Sequence, residues 1–327
     1  MNKKYGSLLD AIGNTPLVRL ELNTPATVLA KLEYFNPGGS IKDRAALFMV
    51  QEAERTGKLK PGGTIVEASS GNQGIALATI GRAKGYRVII TVPGRTSDEK
   101  IGTLKALGAD VRQCPNVAHH DDPQNYHALA KRLAQEIPGA FMPDQYFNVL
   151  NPEAHYRSTG PEIWQQTDGQ VTHVIVAAGS CGTISGVGKF LKEKNPDINI
   201  IGVDAANSAY SSKEAKPYMA EGLGIDVISD TLNKEVIDHI VPITDEDAFS
   251  ATRRLALEHG ILAGISSGAL FHIVQQYAPT FKETDVVVLI FADSGRAYLN
   301  KVFIHDELKN NQIQEQQGQD TVSHQQT

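Results

Sequence analysis

The sequence predicts an α/β protein of two domains with mostly parallel sheets flanked by helices. Two observations predict it. Short apolar, β-branched runs alternate with segments of helical length through the middle of the chain, which is the pattern of βαβ units. Two of those runs pass directly into Ser- and Gly-rich loops that open helices, and in parallel sheets such loops gather at the carboxyl ends of the strands. At 327 residues the chain is long enough for two modest domains.

In chain order, Asn36-Pro37-Gly38-Gly39-Ser40-Ile41-Lys42-Asp43-Arg44 sets a tight loop ahead of an apolar run. Ala45, Leu47, Met49, Val50 and Ala53 in that run suit a helix packed on a core. Lys42 then falls where the loop meets the first helical turn, a place where backbone N–H groups attract anions. Thr64–Glu67 reads as a strand, Glu67-Ala68-Ser69-Ser70-Gly71-Asn72-Gln73-Gly74 as its exit loop, and Ile75–Ala83 as a helix. Arg87–Val92 and Asp110–Gln113 read as further buried strands, with helices over Ser97–Leu107 and Pro123–Glu136. His119-His120-Asp121-Asp122 lacks the i, i+4 pairing and the distant third ligand of a metal site, so it reads as a solvated loop. His173–Ala178 is the next strand, and the loop from Gly179 to Gly186 opens a helix through Lys194. Ile198–Asp204 follows as a strand. Thr244, three residues before Asp247, caps a helix over Asp245–His259 that Gly260 closes. A Gly-Ser-rich turn precedes a helix at Ala269–Tyr277, and Val286–Phe291 is the last strand. Residues 310–327, rich in Gln and almost free of apolar side chains, predict a disordered tail.

Composition narrows the function. Apolar and charged fractions of 41% and 21% are ordinary for a globular protein. A net charge of −6 without a dense Lys/Arg patch argues against nucleic acid as a partner. The longest apolar run, Val286 to Ala292, is far short of a membrane span, and no apolar signal region follows the basic Met1–Lys4 before Asp10. Two cysteines, Cys114 and Cys181, offer neither a disulfide framework nor a metal cluster. The expectation is a cytoplasmic protein with no metal and small-molecule partners.

The lysine loop, the Ser-Ser-Gly-Asn loop and the glycine-rich loop resemble, in this order, the pyridoxal-phosphate enzymes of the cysteine synthase and cystathionine β-synthase family. The resemblance runs from about Leu8 to Leu299 and includes Gly13-Asn14-Thr15-Pro16-Leu17, Thr159-Gly160-Pro161-Glu162-Ile163 and Gly264-Ile265-Ser266-Ser267-Gly268. It implies the tryptophan synthase β-like fold type II, with residues 40–150 as the smaller subdomain and 1–39 plus 151–309 as the larger. It implies pyridoxal 5'-phosphate as cofactor and Lys42 as the lysine that bonds it; an arginine could not serve. By the same resemblance Asn72 meets the cofactor's ring oxygen. Ser69, Ser70, Gly71 and Gln73 grip the substrate carboxylate, largely through backbone N–H groups, with Gln145 nearby. Gly179, Ser180, Cys181, Gly182 and Thr183 form the phosphate loop at a helix N-terminus, and Ser266 faces the pyridine nitrogen.

One position departs from the pattern. The family usually has Gly-Thr-Gly-Gly-Thr in the phosphate loop, whereas Ser180 and Cys181 hold the second and third places here. A positive φ at Cys181 would be costly for a residue with a Cβ. A lone cysteine there reads as small and buried.

The resemblance implies β-replacement on an activated L-serine. Thr159–Trp164 and Gly260–Ile265 look like cysteine synthase, which joins O-acetylserine and sulfide. Glu221-Gly222-Leu223-Gly224 and the segment Asp144 to Tyr156 look more like cystathionine β-synthase, which takes homocysteine. The balance of motifs favours cysteine synthase. Ser/Thr dehydratases, siderophore-precursor synthases acting on O-phosphoserine, and a pyridoxal-phosphate-binding protein without turnover share the scaffold. A homodimer and a serine acetyltransferase partner follow from the resemblance alone.

Overall fold

A computed structural model describes residues 5–69, 71–117, 122–225 and 228–304. The strands are β1 (Leu17–Leu20), β2 (Thr27–Leu32), β3 (Thr64–Ala68), β4 (Arg87–Pro93), β5 (Asp110–Cys114), β6 (His173–Ala177), β7 (Asn199–Ala205), β8 (His239–Ile243) and β9 (Val286–Phe291). The helices are α1 (Lys42–Arg55), α2 (Asn72–Lys84), α3 (Asp98–Ala106), α4 (Tyr126–Glu136), α5 (Leu150–Arg157), α6 (Thr159–Gln166), α7 (Gly182–Lys194), α8 (Asp245–His259) and α9 (Ile265–Tyr277).

The strands form two sheets. One runs β1-β2-β9-β6-β7-β8 and the other β3-β4-β5. Every pair is parallel except β1 with β2. Central parallel strands are covered on both faces and therefore read as unbroken apolar runs. β9 shows this: Val287, Leu289 and Phe291 join one core with α8 and α9, while Val288 and Ile290 join the opposite core with α7. The smaller sheet is built alike, with α1 and α2 packed on one face and Ala130 of α4 on the other.

The six strands read from the sequence are present to within a residue, but Asp110–Gln113 is not a buried strand: β5 lies at the edge of the smaller sheet, and of its residues only Cys114 is buried. The antiparallel β1–β2 pair, the edge strand β8, and the helices α5 and α6 were not read. Three helix starts are corrected: α2 begins at Asn72 rather than Ile75, α4 at Tyr126 rather than Pro123, and α9 at Ile265 with Gly264 as its N-cap, so the Gly-Ser turn expected before Ala269 is already helix. The cap at Thr244 is as expected, with its hydroxyl accepting from Asp247 N at 3.1 Å and Gly260 closing α8 at φ +66°. The expected tail and His119 to Asp121 lie outside the described residues.

Helix α1 is pinned by a buried ionic cluster. Arg44 bonds Glu33 and Glu162, both at 2.7 Å, and Lys31 reaches Glu162 at 2.9 Å. Burial alone would raise the Glu162 carboxyl, yet Arg44 holds it down at about 2. Removing one partner of such a cluster leaves a charge stranded in the core, which costs about 3–5 kcal/mol.

Candidate functional site

Four segments meet at the carboxyl ends of β2, β3, β6 and β9, where open α/β sheets place ligands. The backbone joins them. Ile41 N donates to Ala292 O at 2.8 Å, Gly264 N to Asp293 O at 3.0 Å, and Gly224 N to Ala178 O at 2.8 Å. Three glycines permit the close approach, because a neighbour's polar side chain fills the space of each missing Cβ. A Cβ on Gly38 would stand 2.3 Å from Asp43 Oδ1, one on Gly182 2.1 Å from Asn151 Oδ1, and one on Gly264 1.9 Å from Asp293 Oδ1.

Lys42 is the first residue of α1. Its Nζ lies 3.1 Å from Ser180 Oγ, so the lysine loop and the glycine-rich loop touch across 138 positions of sequence. Burial pushes the Lys42 amine down to about 8, against the opposing influence of Cys181 and Asp293. A fraction of the amine is therefore neutral near physiological pH.

The loop after β3 is drawn in by Ser69, whose Oγ accepts from Gly71 N at 3.3 Å and Gly74 N at 3.0 Å. That hydroxyl caps α2, and Ser70 lies outside the described residues. Asn72 opens α2 and donates from Nδ2 to Asp293 Oδ2 at 2.6 Å. Gln73 is 1% exposed with both amide atoms unpartnered. Gln145 is buried with its Oε1 unpartnered, and its carbonyl accepts from Asn151 Nδ2 at 2.8 Å. Below this segment, Glu67 accepts from Asp144 N at 2.9 Å, and burial pushes its carboxyl up to about 8.

In the loop after β6, Cys181 is the N-cap of α7 at φ +60°, the left-handed conformation that the usual glycine would adopt freely. Its thiol is buried and pushed up to about 11 by that burial. Burial thus disfavours the thiolate at neutral pH. Ser180 Oγ receives Asn151 Nδ2 at 3.2 Å besides Lys42. A Cβ on Gly179 would come within 3.0 Å of Gly222 O, and one on Gly222 within 3.3 Å of Ser266 Oγ. Ser266, buried in the first turn of α9, is thereby set beside the same loop.

Two residues that the sequence reading gave no role belong here. His155 is buried between Thr159 Oγ1, 2.9 Å from Nδ1, and Thr183 Oγ1, 3.3 Å from Nε2. Burial, with Arg44 and Lys42 nearby, pushes His155 down to about 3 and keeps it neutral. Asp293 ties Asn72 to the Tyr298 hydroxyl, which donates to Oδ2 at 2.6 Å. Further out, Glu221 bridges Lys100 of α3 and Lys301, the latter at 2.9 Å. No spacing rule would have found His155. An acid immediately past the most apolar strand was the available signal for Asp293.

Together these features define an α/β site for a phosphorylated aldehyde. The Lys42 amine is buried and partly neutral, and beside it stands a helix N-terminus whose first N–H groups lack intrahelical acceptors. Two buried amide side chains have unmet hydrogen-bonding capacity. The residues fit pyridoxal phosphate. Residues 8–293 match the family model described as "Pyridoxal-phosphate dependent enzyme", and the chain belongs to that family. It is 44% identical to a cystathionine beta-synthase of Saccharomyces cerevisiae over 328 residues, covering 94% of this chain and 64% of that protein. The chain thus spans just under two thirds of that relative's length. Among solved structures, an O-ureido-L-serine synthase matches with a TM-score of 0.87 at 35% identity, over 93% of this chain and 96% of that one. A cysteine synthase of Entamoeba histolytica matches with a TM-score of 0.86 at 36% identity, over 92% and 90% of the two chains.

Proposed function

We propose that the protein carries out β-replacement on L-serine or an activated L-serine, with a thiol as the incoming nucleophile. The observation that carries this reading is the meeting of Lys42 with the loop at the start of α7, 3.1 Å from Nζ to Ser180 Oγ. Bound pyridoxal phosphate supplies an electron sink that lets a bond to the substrate's α-carbon break. The chain's residues do the rest. The α7 N-terminus and Thr183 take the phosphate, and Asn72 takes the ring oxygen. Lys42 would hold the cofactor covalently, and its Nζ, when free, would accept the substrate's α-proton, for which an amine near 8 is suited. Gly71 and the first N–H groups of α2 take the substrate carboxylate, with Gln73 and Gln145 behind them. Ser266 offers a hydroxyl to the ring nitrogen, and a hydroxyl, unlike a carboxylate, does not hold that nitrogen protonated. This favours expulsion of a β-substituent over transamination.

For the nucleophile, the relatives' names weigh toward homocysteine and the motif balance toward sulfide. The 44% identity to a cystathionine beta-synthase favours homocysteine as the first choice, with sulfide second. Two subdomains, residues 40–150 and residues 1–39 with 151–309, belong to the same proposal and are supported by the two sheets. A homodimer and a serine acetyltransferase partner rest on family resemblance. A cytoplasmic setting rests on ordinary composition and two free cysteines. The test is a panel of serine, O-acetylserine and O-phosphoserine against homocysteine and sulfide, with products read by mass spectrometry. A β-substituted amino acid from at least one pair is expected. No product from any pair with cofactor-loaded protein would leave a cofactor-binding protein without turnover.

A further inference from the structure

Asp293 stands just past β9 and is 3% exposed. Its backbone bridges to Ser40 in the lysine loop, and its carbonyl receives Gly264 N, two residues before Ser266. Oδ2 accepts from Asn72 Nδ2 and from the Tyr298 hydroxyl, each at 2.6 Å. Oδ1 is seated over Gly264, in the space a Cβ would need. The carboxyl group therefore cannot turn without losing both donors or displacing the Gly264 backbone.

We propose that Asp293 is a positioning residue that fixes the Asn72 amide, so that Asn72 presents an N–H rather than its carbonyl oxygen to the cofactor's ring oxygen. The inference rests on the reading of Asn72 as the residue at that oxygen. A primary amide carries two N–H hydrogens and one acceptor oxygen, whereas a carboxylate only accepts. Asp293 Oδ2 engages one N–H and leaves the second free. A flipped amide would set its carbonyl oxygen against a carboxyl oxygen 2.6 Å away, which is repulsive. Because Oδ2 already receives two donors, the group is an acceptor there even with a proton on Oδ1. Tyr298 fixes the same carboxyl oxygen as a second donor.

The test is a double-mutant cycle on cofactor binding, which needs no turnover. Dissociation constants for pyridoxal phosphate and visible absorption maxima are measured for the wild type, Asn72→Ala, Asp293→Leu and the double variant. Each single change is expected to weaken binding about tenfold, the scale of one hydrogen bond to a charged partner, and to shift the band. In the Asn72→Ala background, Asp293→Leu is expected to add less than about threefold, because nothing remains to orient. Asp293→Asn keeps an acceptor oxygen and should restore binding to within about threefold, which mere packing would not explain. Equal losses from Asp293→Leu in both backgrounds, or none in the wild-type background, overturn the inference. Should Asp293→Leu not fold, the same cycle with Tyr298→Phe decides: a loss that vanishes in Asn72→Ala supports the inference, and one that persists overturns it. An unchanged constant and band in Asn72→Ala would instead overturn the placement of Asn72, a separate result.

Discussion

Replacing Cys181 by glycine and by alanine should invert an ordinary ranking of stability. At most positions glycine is less stable than alanine by about 0.5–1 kcal/mol, because it loses more chain entropy on folding. Cys181 sits at φ +60° and is 2% exposed. A residue with a Cβ pays about 1–2 kcal/mol in that region, and glycine does not. Both substitutions remove the buried thiol, so its loss cancels between them. The strain outweighs the entropy and leaves glycine ahead of alanine by roughly 0.5–1 kcal/mol. Equilibrium urea denaturation of the two variants at matched cofactor content reads the difference. Alanine equal to or above glycine would refute the strain argument. Both variants should keep activity, since burial holds the thiol up at about 11. Loss of activity in both at full cofactor occupancy would point to thiol chemistry instead.

Three further outcomes are expected. With Lys42 at about 8, the rate of cofactor capture by stripped protein should climb with pH and level off just above 8; an ordinary lysine would keep climbing toward about 10. The linked stability has a definite sign: the depressed folded value means the unfolded chain binds the extra proton, so the cofactor-free protein should gain stability from pH 8 to 10.5, and a flat profile in both measurements would count against the burial of this amine. Gly182→Ala drives a Cβ to 2.1 Å from Asn151 Oδ1, whereas Gly102 in α3 has nothing within 4 Å. Thermal unfolding should show the first change destabilising by about 1–3 kcal/mol and Gly102→Ala stabilising by about 0.5–1 kcal/mol. His155→Phe frees the Thr183 hydroxyl from its partner and should weaken cofactor binding about three- to tenfold, measured by titration of stripped protein; unchanged binding would remove His155 from the site.

Much of this was legible in the sequence. Buried parallel strands with unbroken apolar runs, such as β6 and β9, could be read directly, and the loops that exit β3 and β6 carried their motifs with them; β2 is equally buried, but Lys31 interrupts its apolar run. β1 and β8 could not be read in the same way. Each lies at a sheet edge, its burial is partial, and Pro242 interrupts the second. Ser266 read as a turn because Ser-Ser-Gly is poor helix sequence, yet Gly264 caps a helix there whose first turn is wholly buried, so packing overrode propensity. Cys181 was legible as a departure, and the positive φ it would have to bear is present. Asp293 and His155 escaped because their roles arise from contacts far apart in sequence: Asp293 meets Asn72 across 221 positions, and His155 meets Thr183 across 28.

The most direct test of the central claim is borohydride reduction of the cofactor-loaded protein followed by peptide mass mapping. The account predicts a single pyridoxyl-phosphate adduct on Lys42, absent from Lys42→Ala. An adduct on any other lysine, or none at all in a protein that retains the cofactor, would contradict it.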